Sequence, residues 1–77
     1  MDIPKGQKKK VAMYLTQFGS ITPYEAYREF GIMRLAAIIF ELRDPNGDYA
    51  WSIETEMQEG TNRFGERVHF AKYVLKR

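Results

Sequence analysis

The sequence predicts a small α+β domain, three helices followed by a β-hairpin. Three observations carry that reading. Between residues 7 and 43 the apolar side chains recur at helical spacing, in three runs separated by glycines. A strong breaker, Asp44-Pro45-Asn46-Gly47-Asp48, closes this region. After it, "YAWSIETEM" and "ERVHFAKYVL" alternate apolar and polar residues around the polar, glycine-containing "QEGTNRFG", the pattern of a hairpin.

Residues 1–6 read as a flexible N-terminal arm with Pro4 and Gly6 as breakers, and 7–77 as one domain. From 7 to 18, Val11, Tyr14, Leu15 and Phe18 share a helical face, and Gly19 supplies a left-handed stop. The second helix opens with Thr22-Pro23-Tyr24-Glu25, a capping box with proline at the first helical position. Ala26, Tyr27 and Phe30 share its inner face, and at about two turns it must pack on neighbours to persist. Gly31 ends it by taking positive φ cheaply, and Ile32 is placed to plug the corner. The third helix is expected from 33 to 43, with Leu35, Ala36, Ile39 and Leu42 inward. Arg34, Ala37, Ile38 and Glu41 are expected outward, with Met33 and Phe40 at the border, which makes Ile38 an anomaly. In the hairpin, Trp51, Ile53, Thr55 and Met57 face one way, and Ser52, Glu54 and Glu56 the other.

Composition narrows the function. The chain has 77 residues and no cysteine, so neither a disulfide nor a thiolate metal site helps to hold it, and a reducing, cytoplasmic setting is expected. At 44% hydrophobic it has enough apolar material for one core. No apolar run is long enough to span a bilayer, and "MDIPKGQKKK" lacks the apolar segment of a signal peptide. Net charge is only +2, but the charges are unevenly placed. Lys5, Lys8, Lys9 and Lys10 cluster at one end, and Arg63, Arg67, His69, Lys72, Lys76 and Arg77 at the other, with the acidic residues concentrated between.

Three helices and a hairpin in this order are the elements of a winged helix-turn-helix. "SITPYEAYREFGIMRLAAIIFELR", "SIETEM" and "NRFGERVHFAKYVL" resemble the small winged helix-turn-helix proteins of phages and prophages. The matching positions are Thr22-Pro23, Gly31-Ile32, Arg34 to Ala37, Leu42-Arg43, Ile53 to Thr55, and Ala71, Tyr73 and Leu75. The resemblance implies a non-catalytic protein that binds double-stranded DNA, as a regulator of transcription or a DNA-transaction accessory factor of a mobile element. Relatives often carry a basic or polar residue where this chain has Ile38, and "DPNGDYAW" is longer and more acidic than their usual connection.

In such a domain the third helix enters the major groove. Its candidate contacts are Met33, Arg34, Ala37, Ile38 and Glu41. Arg34 suits a guanine edge or a phosphate, Ala37 and Ile38 suit thymine methyls, and Glu41 can accept from cytosine. The wing and arm candidates are Asn62, Arg63, Arg67, Lys8, Lys9 and Lys10, for the phosphate backbone or the minor groove. Each has a plainer reading as a solvated helix face, a polar hairpin loop or a solubilising arm. The three lysines also oppose a helix macrodipole.

The competing reading is a protein-interaction winged helix that binds and inhibits a host complex through Ile38, Phe40, Met33 and Phe64. A third is a homodimer on a two-fold DNA site. His69 stands without a second ligand at metal-binding spacing, so no metal is expected. Glu54, Glu56 and Glu59 form a solvated strand face more readily than an acid–base pair, and no phosphate-binding glycine loop or nucleophile elbow occurs. No enzyme activity and no cofactor are expected.

Overall fold

The structure, a computed structural model, describes residues 5–76. The chain runs α1 (Lys5–Phe18), β1 (Ser20–Ile21), α2 (Pro23–Phe30), α3 (Leu35–Arg43), β2 (Ser52–Thr61) and β3 (Arg67–Lys76). The α+β order of three helices and a hairpin wing is therefore as expected. α1 starts two residues earlier than the sequence indicated, so Lys5 and Gly6 are helical, and the rest of the expected arm, 1–4, lies outside the described residues.

Each helix end has a local cause. Gly19 closes α1 at φ 85°, its N–H donating to the Leu15 carbonyl at 2.8 Å. The Thr22–Glu25 capping box forms in full. Glu25 N–H donates to Thr22 Oγ1 at 3.2 Å, and Thr22 N–H donates to Glu25 Oε1 at 2.9 Å. Gly31, at φ 68°, donates back to the Ala26 and Tyr27 carbonyls, and the Ile32 N–H returns to Ala26 O at 3.2 Å. That short turn drops Ile32 into the core. After α3, Asp44 folds the chain through an Asx turn, its Oδ1 accepting from Asn46 N–H at 2.9 Å.

The core is the junction of the three helices with the base of the sheet. Val11, Leu15, Ile21, Ala26, Ile32, Leu35, Ile38, Ile39, Leu42, Ile53 and Tyr73 are all buried. Several residues face the other way from what their spacing predicts. Ile38 was expected outward and is 1% exposed, while Ala36 was expected inward and is exposed. The reason is volume: Leu35, Ile38, Ile39 and Leu42 stand at i, i+3, i+4 and i+7, and burying four large aliphatics outweighs burying one alanine. Phe18 is likewise 62% exposed, because α1 is ending there, although its ring still lies 4.5 Å from that of Tyr14. Tyr27, also expected inward, is 58% exposed because the packed arc of α2 is centred on Ala26.

The sheet is antiparallel in the order β1-β3-β2. β1 pairs Ser20 with Val74 and Ile21 with Tyr73. β2 and β3 pair from Ser52↔Lys76 to Thr61↔Arg67. The expected loop over 58–65 is thus too long, since Gln58 to Thr61 continue the ladder and only 62–66 turn. Ladder pairing satisfies backbone groups that a loop leaves to water. The Phe70 ring also covers the site where Gly60 lacks a side chain, reaching within 3.4 Å of where its Cβ would be. The strand starts at Ser52, so Tyr49 and Trp51 lie in the connection, packed edge-to-face at 5.0 Å against the core.

Candidate nucleic-acid interface

The turn between α2 and α3 decides which side of α3 faces water. α3 starts at Leu35 and not at the expected 33. With Leu35, Ile38, Ile39 and Leu42 inward, its exposed side is Ala36 and Phe40, with Ala37 half-buried beside them and Met33 exposed just before the helix. Met33 is 82% and Phe40 75% exposed. Arg34 occupies the N-cap position of α3 and is exposed at its entry. Glu41 is half-buried at the flank of this face. So Arg34, Met33 and Ala37 stay together on the outer side, Ile38 leaves it, and Ala36 and Phe40 join it. The run of four large aliphatics was the signal for this rotation of the helix.

Arg43, the last residue of α3, was not among the candidates and has a structural task. Its Nε donates to the Ile53 carbonyl at 2.7 Å and its Nη2 to Thr55 Oγ1 at 2.6 Å, while its guanidinium lies 5.8 Å from the Tyr73 ring centroid. One side chain thereby ties the end of α3 to the root of the wing, fixing one relative to the other. A cation in the last helical turn is also favoured by the macrodipole.

The wing tip is built on Asn62. Its Oδ1 accepts from Phe64 N–H at 2.9 Å and from Glu66 N–H at 3.1 Å, and its Nδ2 donates to Glu66 Oε1 at 3.1 Å. Its backbone accepts from Gly65 N–H at 3.0 Å and donates to the Glu66 carbonyl at 3.0 Å. Gly65 takes the left-handed conformation the turn requires, φ 77°. Asn62 is therefore occupied within the turn, while Arg63 and Arg67 are exposed on either side of Phe64.

Lys8, Lys9 and Lys10 belong to the first half of α1. Lys8 Nζ lies 5.9 Å from the centre of the Tyr49 ring, a cation–π contact that partly offsets its unfavourable place near a helix N-terminus. Lys9 borders a hollow of about 380 Å³ with Met13, Tyr49 and Trp51, and Lys10 a smaller one with Met13, Tyr14 and Phe30. Lys8 and Lys9 thus border the connection before β2, and Lys10 borders the end of α2.

Glu25 does two jobs that the sequence showed only in part. Besides capping α2, its Oε2 accepts from the Tyr14 hydroxyl at 3.0 Å, joining α1 to α2. Partial burial pushes the Tyr14 phenol above its ordinary value of 10.0, and the Glu25 hydrogen bond and charge push the same way. A hollow of about 510 Å³ lies beside this cap, between Tyr24 and the wing residues Gln58, Phe70 and Lys72. Among the described residues its only lining carboxylate is Glu25, which is engaged in the cap. Among the described residues, no group of three or more His, Cys, Asp or Glu side chains is placed to hold a metal ion, and no helix is long and apolar enough to cross a membrane.

The family model described as a winged helix-turn-helix domain matches residues 6–77. The chain belongs to that family. No curated protein and no solved structure matches it. Membership agrees with the β1-β3-β2 sheet and the α2–turn–α3 unit, and it suggests DNA binding by a domain type that is typically non-catalytic. In this winged helix-turn-helix, α3 is the second of the paired helices, and the β2–β3 hairpin is the wing.

Proposed function

We propose that this winged helix-turn-helix domain binds double-stranded DNA without catalysis, as a regulator or DNA-transaction accessory factor of a phage or other mobile element. The observation that carries the reading is the pairing of an exposed α3 face, entered at Arg34, with a rigid wing bearing Arg63 and Arg67. Both are anchored to one core, and Arg43 locks them together. Met33, Ala36, Ala37 and Phe40 meet base edges in the major groove, where their apolar surfaces suit thymine methyls. Arg34 contacts a guanine edge or a phosphate at the start of the helix. Arg63 and Arg67 follow the backbone, and Lys8, Lys9 and Lys10 add a diffuse positive field from α1.

Fluorescence anisotropy on a random-sequence duplex across a salt series tests this. Wild type is expected to bind in roughly the micromolar range, with affinity falling steeply as salt rises. Arg34→Ala, Arg63→Ala and Arg67→Ala are each expected to flatten the salt slope by about one unit if they neutralise one phosphate. Absence of binding at low salt by folded protein sinks the reading.

A second reading has its own support. Met33 and Phe40 form an unusually apolar recognition face for a chain of net charge +2, which fits a host protein as partner. Under that reading, Phe40→Glu abolishes capture of the partner while the arginine variants leave it intact.

A further inference from the structure

We propose that Phe64 is a wedge that enters the minor groove and parts a base step, so that the wing bends the DNA it touches. The proposal rests on the DNA-binding reading and adds a mechanical role to it. Phe64 is 79% exposed at the apex of the hairpin, where it contributes nothing to the core. An aromatic at a tip is usually free to collapse onto its own strands. Here the backbone on both sides is pinned: Phe64 N–H and Glu66 N–H bond to one Asn62 oxygen, and Gly65 N–H bonds to the Asn62 carbonyl.

The wing behind the tip is also stiff. The ladder runs unbroken over ten residues of each strand to Thr61↔Arg67, directly below the turn. At about 3.3 Å per residue, the ladder carries the tip far beyond the core. Phe70 covers Gly60, the one glycine within the ladder, and Arg43 braces the root. A wedge needs this stiffness, because the force that unstacks bases must be borne by the rod behind it.

The chemistry beside Phe64 selects nucleic acid. Arg63 and Arg67 precede and follow it in the chain and are exposed, a charge pattern that suits phosphates beside an inserted ring. The one acid at the tip, Glu66, is drawn back by the Asn62 amide at 3.1 Å. A paired ribbon is too wide for a minor groove of roughly 6 Å, but a single phenyl ring carried at its tip is not. Apolar side chains of this kind part base steps in architectural proteins and kink the duplex toward the major groove by about 20–90°.

The test uses a duplex of about 20 base pairs selected by the wild-type protein from a random-sequence pool. 2-Aminopurine replaces one base at a time to report unstacking, and end-attached dyes report bending by energy transfer. Wild type is expected to brighten 2-aminopurine at one step and to bend the duplex by at least about 20°. Phe64→Ala is expected to lose both signals, to bind roughly tenfold more weakly and to keep the wild-type salt slope. Phe64→Leu, still an apolar wedge, is expected to restore most of the bend. Wild-type binding without unstacking, or bending unchanged in Phe64→Ala, overturns the wedge and leaves DNA binding standing. Failure of the wild type to select or bind any duplex overturns both the wedge and the DNA-binding reading.

Discussion

The helical half and the wing are held together by different physics. In α1, α2 and α3 every large buried side chain meets the others in one cluster, and each helix is closed by a cap or a glycine. In β2 and β3 only Ile53 and Tyr73 are buried, both near the root, and the remaining length rests on its ladder and on contacts within the hairpin. The core is therefore a cooperative unit in which one deletion is felt throughout. The wing is a lever whose outer part can change with little effect on global stability. Such a division suits a binding domain, since the reading surfaces are exposed while their relative position is set by what is buried.

The largest expected effect tests the core. Leu42→Ala should cost about 2–5 kcal/mol in denaturant unfolding, because Leu42 is wholly buried where α3 meets the sheet. Met57→Ala, midway along the wing and 65% exposed, should stay within about 0.5 kcal/mol. Equal losses would mean that the wing belongs to the same cooperative unit, and the comparison would fail.

Arg43→Ala probes the joint between the two halves. It should cost about 1–2 kcal/mol, since two charge-assisted hydrogen bonds are lost at a half-exposed site. It should also weaken DNA binding by letting the wing pivot, even though Arg43 is not placed as a DNA contact. Thr22→Ala removes the cap of α2 and should cost about 1 kcal/mol, read from the same unfolding curves.

Asn62→Ala should change global stability by less than about 0.5 kcal/mol. Hydrogen exchange should nevertheless quicken at the amides of Phe64 and Glu66, which lose their acceptor. Unchanged exchange there would show that the turn is held by its backbone alone. The smallest effect concerns pH. Tyr14 titrates above 10.0 in the fold because burial and Glu25 favour the neutral phenol. Its contribution is complete below pH 10 and is lost as pH rises through the folded value. Tyr14→Phe should therefore flatten the fall in stability above pH 10.

Most of the helical framework was readable because its signals are local. The Thr22–Glu25 box, the left-handed Gly19 and Gly31 and the breaker at Asp44 act within a few residues, so the chain carries them openly. β1 left no trace, because two residues have no periodicity and Ser20–Ile21 become a strand only by pairing with β3. The exposure of Met33, Arg34, Arg63 and Arg67 was readable from the sequence. It was misjudged at Ile38, because adjacent positions on one helix can trade places when the arc rotates, and only the neighbours decide the rotation.

The sequence by itself determined the order of the three helices and the hairpin, the helix stops and much of the amphipathic pattern, since these follow from backbone preferences and from the spacing of apolar side chains. Only the tertiary structure decided which residues face outward on α3, how far the wing extends, that Asn62 shapes the tip and that Arg43 braces it. Those outcomes depend on partners distant in sequence, such as Ile53 for Arg43 and Tyr73 for Ile21. Packing them into one volume is a global competition that no local window contains.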